Sequence, residues 1–154
     1  MLRASEGEEQ YRRQDFDDEA RYDQEVWRPK DASDINRLVH QLCDRFHRRD
    51  DSRRYEADDL RILSVLEEAV LNAWIHGNKR DPSKAIIVRW RCDQNYDFEV
   101  IDTGPGFDCQ SVPDPTQAEN ICRPAGRGIF IMRYYSDFIE WDNGGRRVRF
   151  SIRK

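Results

Sequence analysis

The chain has 154 residues, of which 36% are charged and 38% hydrophobic, with a formal net charge of −4. That length suits one domain with an economical core, and no apolar run approaches the ~20 residues that a membrane span needs. Residues 1–25 hold nine acids against four arginines, a balance of −5; the other 21 acids and 22 bases give +1, so the acidity belongs to the leading stretch.

Residues 1–24 carry Glu6, Glu8, Glu9, Asp15, Asp17, Asp18 and Glu19 among few apolar side chains. They read as an acidic flexible extension, either a solvated tail or an arm for a basic partner. The folded domain is expected over 25–154. Glu25 to Pro29 reads as a short edge strand, where the donor that proline lacks is not needed. Asp31 or Ser33 is placed to cap a helix in which Ile35, Leu38, Val39, Leu42 and Phe46 repeat at amphipathic spacing. Asp58 or Asp59 then caps a long second helix with a stripe of Leu63, Leu66, Val70, Ala73 and Trp74. Gly77 stops it.

Ala85–Cys92 is β-branched and aromatic, and Tyr96–Val100 alternates, so the two form a hairpin turning at Asp93-Gln94-Asn95. Residues 108–125 have prolines and no sustained period, as a loop would. Gly128–Ser136 reads as a helix. Phe138–Trp141 and Arg147–Ile152 form a closing hairpin, with Asn143-Gly144 expected as a type I′ turn. The order β, α, α, β, β, loop, α, β, β predicts an α+β two-layer sandwich, with helices on one face of a mostly antiparallel, mixed sheet. Cys43, Cys92, Cys109 and Cys122 form no C-x-x-C pair or zinc spacing, and His40, His47 and His76 are scattered. With no apolar leader segment, a cytoplasmic protein with reduced thiols is expected.

Three stretches carry polar chemistry. Glu68 and Asn72 lie four residues apart on the second helix and so share one face. A carboxylate and an amide oxygen are hard ligands suited to Mg²⁺, though the same pair also serves as a solvated face. Asp102-Thr103-Gly104-Pro105-Gly106 follows a strand directly. Its glycines permit close approach, and its carboxylate is placed to accept from an exocyclic amine such as that of adenine; alone, it is a turn motif. Gly126-Arg127-Gly128 opens a helix, whose free N–H groups suit phosphate. The β-α-β context of a dinucleotide fold and the P-loop pattern are both absent.

In this order the three stretches resemble the N, G1 and G2 boxes of the GHKL superfamily of ATP-binding domains. Glu68-Ala69-Val70-Leu71-Asn72-Ala73-Trp74-Ile75-His76-Gly77 and Gly126-Arg127-Gly128-Ile129-Phe130-Ile131-Met132 look most like the anti-sigma-factor serine kinases of bacterial stress and sporulation switches. The resemblance covers about residues 25–152 and implies the Bergerat fold, with ATP and Mg²⁺ as ligands. It makes Asn72 the Mg²⁺ ligand and Asp102 the adenine acceptor in a wall shaped by Gly104 and Gly106. Gly126, Arg127 and Gly128 fall at the phosphates under a lid of about 108–125. Glu68 becomes the general base toward a serine hydroxyl. His76 is a further candidate contact to phosphate or substrate.

The implied partners are an antagonist protein bearing that serine, a sigma factor and a second copy of the chain, with no direct role for nucleic acid or membrane. Trp74 is bulkier than expected at its position and either narrows the pocket or fills core. The acidic extension is not a family feature. Two rival readings stand beside the kinase: a nucleotide-binding regulatory module with little phosphoryl transfer, and the catalytic domain of a histidine kinase. The His-Gly after Asn72 and the short lid disfavour the last.

Overall fold

Period-two alternation in three strands places their apolar side chains on one face, and those strands form the middle of a five-stranded sheet. The computed structural model describes residues 22–47, 55–106 and 127–154. Its strands are β1 (Asp23–Trp27), β2 (Ile86–Cys92), β3 (Asn95–Asp102), β4 (Phe138–Asp142) and β5 (Arg147–Arg153). They lie in the order β1-β2-β3-β5-β4, and every pairing is antiparallel. The mostly antiparallel α+β sandwich expected from the sequence is what forms, and among the described residues no parallel pair makes the sheet mixed. Two of its pairings, β2–β3 and β4–β5, are hairpins, which admit no other sense.

The helix-facing side of the sheet carries Ile86, Val88, Phe98, Val100, Val148, Phe150 and Ile152, all buried. Phe98 opposes Phe150 across β3–β5, and their rings stack with centroids 5.0 Å apart. On the opposite face Glu99, only 1% exposed, accepts from Arg89 Nη1 at 2.9 Å and from Arg149 Nε at 2.8 Å. Asp97 accepts from Arg91 Nη2 and Ser151 Oγ, each at 2.7 Å. Buried carboxylates with two donors each are fully compensated.

Helix α1 (Ala32–His47) is capped by Asp31, whose Oδ1 accepts from Asp34 N at 2.8 Å. It buries Ile35, Val39 and Leu42. Helix α2 (Tyr55–Asn72) buries Ile62, Val65, Leu66, Ala69 and Val70. Its stripe is rotated from the expected one, leaving Leu63 and Trp74 only partly covered. Asp58 and Asp59 are the fourth and fifth residues of α2 and so lie inside the helix instead of capping it. Helix α3 (Arg127–Tyr135) runs against α2. Arg61 of α2 donates to the Tyr135 carbonyl at 3.0 Å and to Asp137 Oδ2 at 2.9 Å, fastening the C-terminal end of α3.

After Asn72 the helix widens into a π turn, Ala73–Gly77, closed by Asn78 N donating to Ala73 O at 2.7 Å. The helical run ends at Gly77, as expected, though Gly77 itself is not left-handed. The left-handed residues are Lys79 (φ 56°) and Arg80 (φ 59°), and Arg80 N returns to Trp74 O at 2.8 Å. The closing hairpin also departs from a two-residue turn. Asp142 pairs with Arg147, so four residues, 143–146, make the connection. Gly144 (φ 65°) and Gly145 (φ 81°) supply its left-handed positions. Cys43 is buried and free, and its burial pushes the thiol up to about 12, which leaves it without a nucleophilic thiolate. Cys92 is half-buried on β2, while Cys109 and Cys122 lie outside the described residues.

Asn78, fully buried, joins three segments. Its Nδ2 donates to Ala85 O at 3.1 Å, just before β2, and its Oδ1 accepts from Thr103 N at 3.0 Å, just after β3. Asn78→Ala leaves buried backbone groups unpaired and should cost about 3 kcal/mol. A thermal melt should show the midpoint falling by roughly 10 °C.

Candidate functional site

Three glycines show which segments touch. A Cβ on Gly77 would overlap the Asp102 carboxylate, and one on Gly104 would overlap the Gly77 carbonyl oxygen. The end of α2 and the loop after β3 therefore meet backbone to backbone. A Cβ on Gly128 would overlap Glu68 Oε2 and come within 3.7 Å of Asn72 Nδ2. The first turn of α3 is thus seated on the Glu68–Asn72 face of α2. Gly106 (φ 82°) packs on the Gly144 carbonyl. The three polar stretches, separate in sequence, converge.

A cavity with about 240 Å³ of empty space, its open mouth included, lies between them. Asn72 of α2, Asp102 of β3, Met132 of α3, and Trp141 and Arg146 of the closing hairpin line it. Asp102, 4% exposed, accepts from Gly104 N at 2.8 Å through Oδ1. Among the described residues no donor reaches its Oδ2. Burial raises the pKa of Asp102, against smaller opposing effects of the Gly104 hydrogen bond and of Arg146, Lys84 and Lys79. Its location suits an acceptor for an amine entering the cavity.

Glu68 stands one turn before Asn72. Its pKa is also raised, by burial first and then by the neighbouring charge of Glu67. Asn72 Nδ2 is buried with no hydrogen-bond partner among the described residues. The orphaned Nδ2 is a donor that an oxygen of a phosphate or of a bound water would satisfy, and the amide oxygen of the same side chain is a hard ligand, so Asn72 fits a Mg²⁺ ion shared with phosphates and waters. Among the described residues no three His, Cys, Asp or Glu side chains gather into a metal cage; an ion shared with phosphates needs only one or two protein ligands.

The remaining candidates are less central. His76 is exposed on the π turn, with its pKa lowered by burial, Lys79 and Arg80, and it is not in the cavity wall. Arg127 is exposed at the first position of α3. Gly126 and the expected lid, 108–125, lie outside the described residues. Trp74 packs partly against the core with the Arg80 guanidinium 5.6 Å above its ring, and is not in the wall. Sequence reasoning missed Met132, Trp141, Asn78 and Arg146. Met132 falls within the expected helix and Trp141 at the end of an expected strand, and neither carries a polar signal of its own. Asn78 and Arg146 stand beside glycines that drew attention first, and their partners lie about 25 and 42 positions away.

Residues 28–152 match the family model of the histidine kinase-like ATPase domain. The chain belongs to that family. It is an ATP-binding, GHKL-type domain, and the match spans every element from the α1 cap to β5. No curated protein matches the chain. No helix among the described residues is long and apolar enough to cross a membrane.

The glycines of this ATPase domain differ in what they protect. Gly104→Ala drives a Cβ into backbone, which cannot yield, and should cost more than ~2 kcal/mol and abolish nucleotide binding. Gly128→Ala meets only the far end of a flexible glutamate and gains helix propensity. It should melt within about 2 °C of the wild type while displacing the Glu68 carboxylate. Thermal melts of the two variants, read alongside Mg-ADP calorimetry, check the contrast.

Proposed function

We propose that this ATPase domain is a serine protein kinase and anti-sigma factor: it phosphorylates an antagonist protein and sequesters a sigma factor. The observation that carries the reading is the placement of Glu68 against Gly128 and one turn from Asn72. A carboxylate beside the phosphate end of the site, but outside the cavity wall that would hold the base, is where a protein hydroxyl would arrive. The Glu68-to-Gly77 and Gly126-to-Met132 stretches, which look most like those kinases, support the same choice.

In this reading Asn72 helps to hold Mg²⁺, which neutralises charge on the phosphates. Asp102 accepts from the adenine amine, and Gly128 lets the phosphate chain approach the opening turn of α3. Arg127 stands at that same opening, and the family resemblance gives Gly126 a phosphate role as well. Glu68 takes the serine proton as its oxygen attacks the γ-phosphorus; the bond to the β,γ-bridging oxygen breaks and ADP leaves. A raised carboxyl is a better-matched base near neutral pH than an ordinary one. Phosphoryl transfer otherwise depends on positioning and charge neutralisation. A cytoplasmic location and a homodimer belong to the same proposal.

Glu68→Gln should lower transfer of labelled γ-phosphate to an antagonist by more than ~100-fold with Mg-ATP affinity retained, whereas Asn72→Ala should weaken Mg-ATP binding itself. Wild-type protein that binds Mg-ATP but transfers nothing to any antagonist would favour the regulatory-module alternative. The pH profile follows from the direction of the Glu68 shift. A carboxyl raised in the folded state holds its proton more tightly there than when unfolded. Ionising it therefore costs stability as pH climbs from the ordinary glutamate range through the raised value. The acid limb of the transfer rate should lie above that ordinary range, and Glu68→Gln should melt about 1–2 °C higher at neutral pH.

A further inference from the structure

Arg146 is the last residue of the four-residue turn before β5, and both its backbone and its side chain hold the loop after β3. Its carbonyl oxygen accepts from Asp102 N at 2.9 Å. Its Nε donates to Gly104 O at 2.7 Å, and its Nη2 reaches Pro105 O at 3.5 Å. Gly104 N in turn donates to Asp102 Oδ1 at 2.8 Å. These bonds close a ring: Asp102 to Arg146 through the main chain, Arg146 to Gly104 through the guanidinium, and Gly104 back to the carboxylate. One carboxylate oxygen is thereby committed and the other left as an acceptor. Arg146 and Asp102 share the cavity wall.

We propose that Arg146 is the positioning residue that sets nucleobase selectivity, by fixing Asp102 so that it takes a 6-amino purine and turns away a 6-oxo purine. This inference rests on the nucleotide-binding reading of the site and not on phosphoryl transfer. An amine donates to a fixed, desolvated carboxylate oxygen, whereas a carbonyl in the same place sets oxygen against oxygen. Discrimination of this kind is large only when the acceptor cannot turn aside to water. A guanidinium fork spans two carbonyls, while an ammonium is a single point donor. Gly104 lies against the Gly77 backbone, and the guanidinium on its carbonyl helps to hold in place the residue whose N–H meets Oδ1.

The test is calorimetry of wild type, Arg146→Ala and Arg146→Lys with Mg-ATP and with the magnesium salt of inosine triphosphate, which differs at the 6-position. Wild type should prefer ATP by at least about tenfold, the worth of a hydrogen bond to a charged acceptor. Arg146→Ala should bring the ratio to within about threefold of one, mostly by weakening ATP, and Arg146→Lys should fall between. In the ligand-free protein the Gly104 amide proton should shift upfield in the alanine variant as its bond to the carboxylate loosens. If Arg146→Ala does not fold, the lysine variant decides: a ratio below that of wild type supports the proposal, and an unchanged ratio overturns it. Equal losses for both nucleotides would show a merely structural role and overturn it too, as would wild type that does not discriminate. Wild type that binds neither nucleotide would overturn both this inference and the nucleotide reading.

Discussion

Two bare stretches of backbone, at Gly77 and Gly104, touch where most chains would carry side chains, and the site depends on that approach. Any Cβ at either position would overlap a carbonyl or the Asp102 carboxylate. The approach seats the end of α2 on the end of β3, which brings the Asn72 amide and the Asp102 carboxylate into one cavity wall. Asn78 secures the junction from the helix side and Arg146 from the hairpin side. Neither holds substrate in the proposed chemistry, yet both fix the groups that do. The π turn belongs to the same arrangement, since it delivers Asn78 to the start of β2 while Gly77 stays out of the left-handed region.

The four carboxylates Asp97, Glu99, Glu68 and Asp102 divide into two kinds. Glu99 and Asp97 are nearly inaccessible, yet each has two donors. Glu68 and Asp102 are desolvated with fewer partners, and their pKa values rise accordingly. The first arrangement stabilises a sheet. The second is strained in its electrostatics, and such groups cluster where ligands bind. The orphaned amide of Asn72 falls in the second group. A fold this rich in charge has satisfied its carboxylates on the outer face of the sheet and left them wanting at the nucleotide end.

Much of this was legible in the chain. Periodicity gave the order of elements and the central hairpin because each depends on neighbours within a few residues. The three polar stretches were also readable, since their spacing is local. What failed was long-range or conformational. The register of the closing hairpin hides in the pairing of Asp142 with Arg147, which no Asn-Gly pair reveals. The rotation of the α2 stripe is set by α3 and the sheet, not by α2 alone. The outer-face ion lattice gave no signal in the sequence, because its members sit on four different strands. Arg146 acts on Gly104, some forty residues away, and nothing near either residue announces the pair.

The fastening of α3 has a mechanical corollary. Arg61 grips the helix at Tyr135, while Gly128, at the other end, rests on Glu68. Seven residues separate the grip from the glycine, a lever about 10 Å long. Pivoting by ~5° about that fulcrum carries Gly128 through roughly 1 Å, comparable to the margin between a packed and an overlapping atom. Whatever pulls on the chain ahead of Arg127 therefore acts on the proposed base, against the resistance of Ile129 and Met132, which α3 buries in the core.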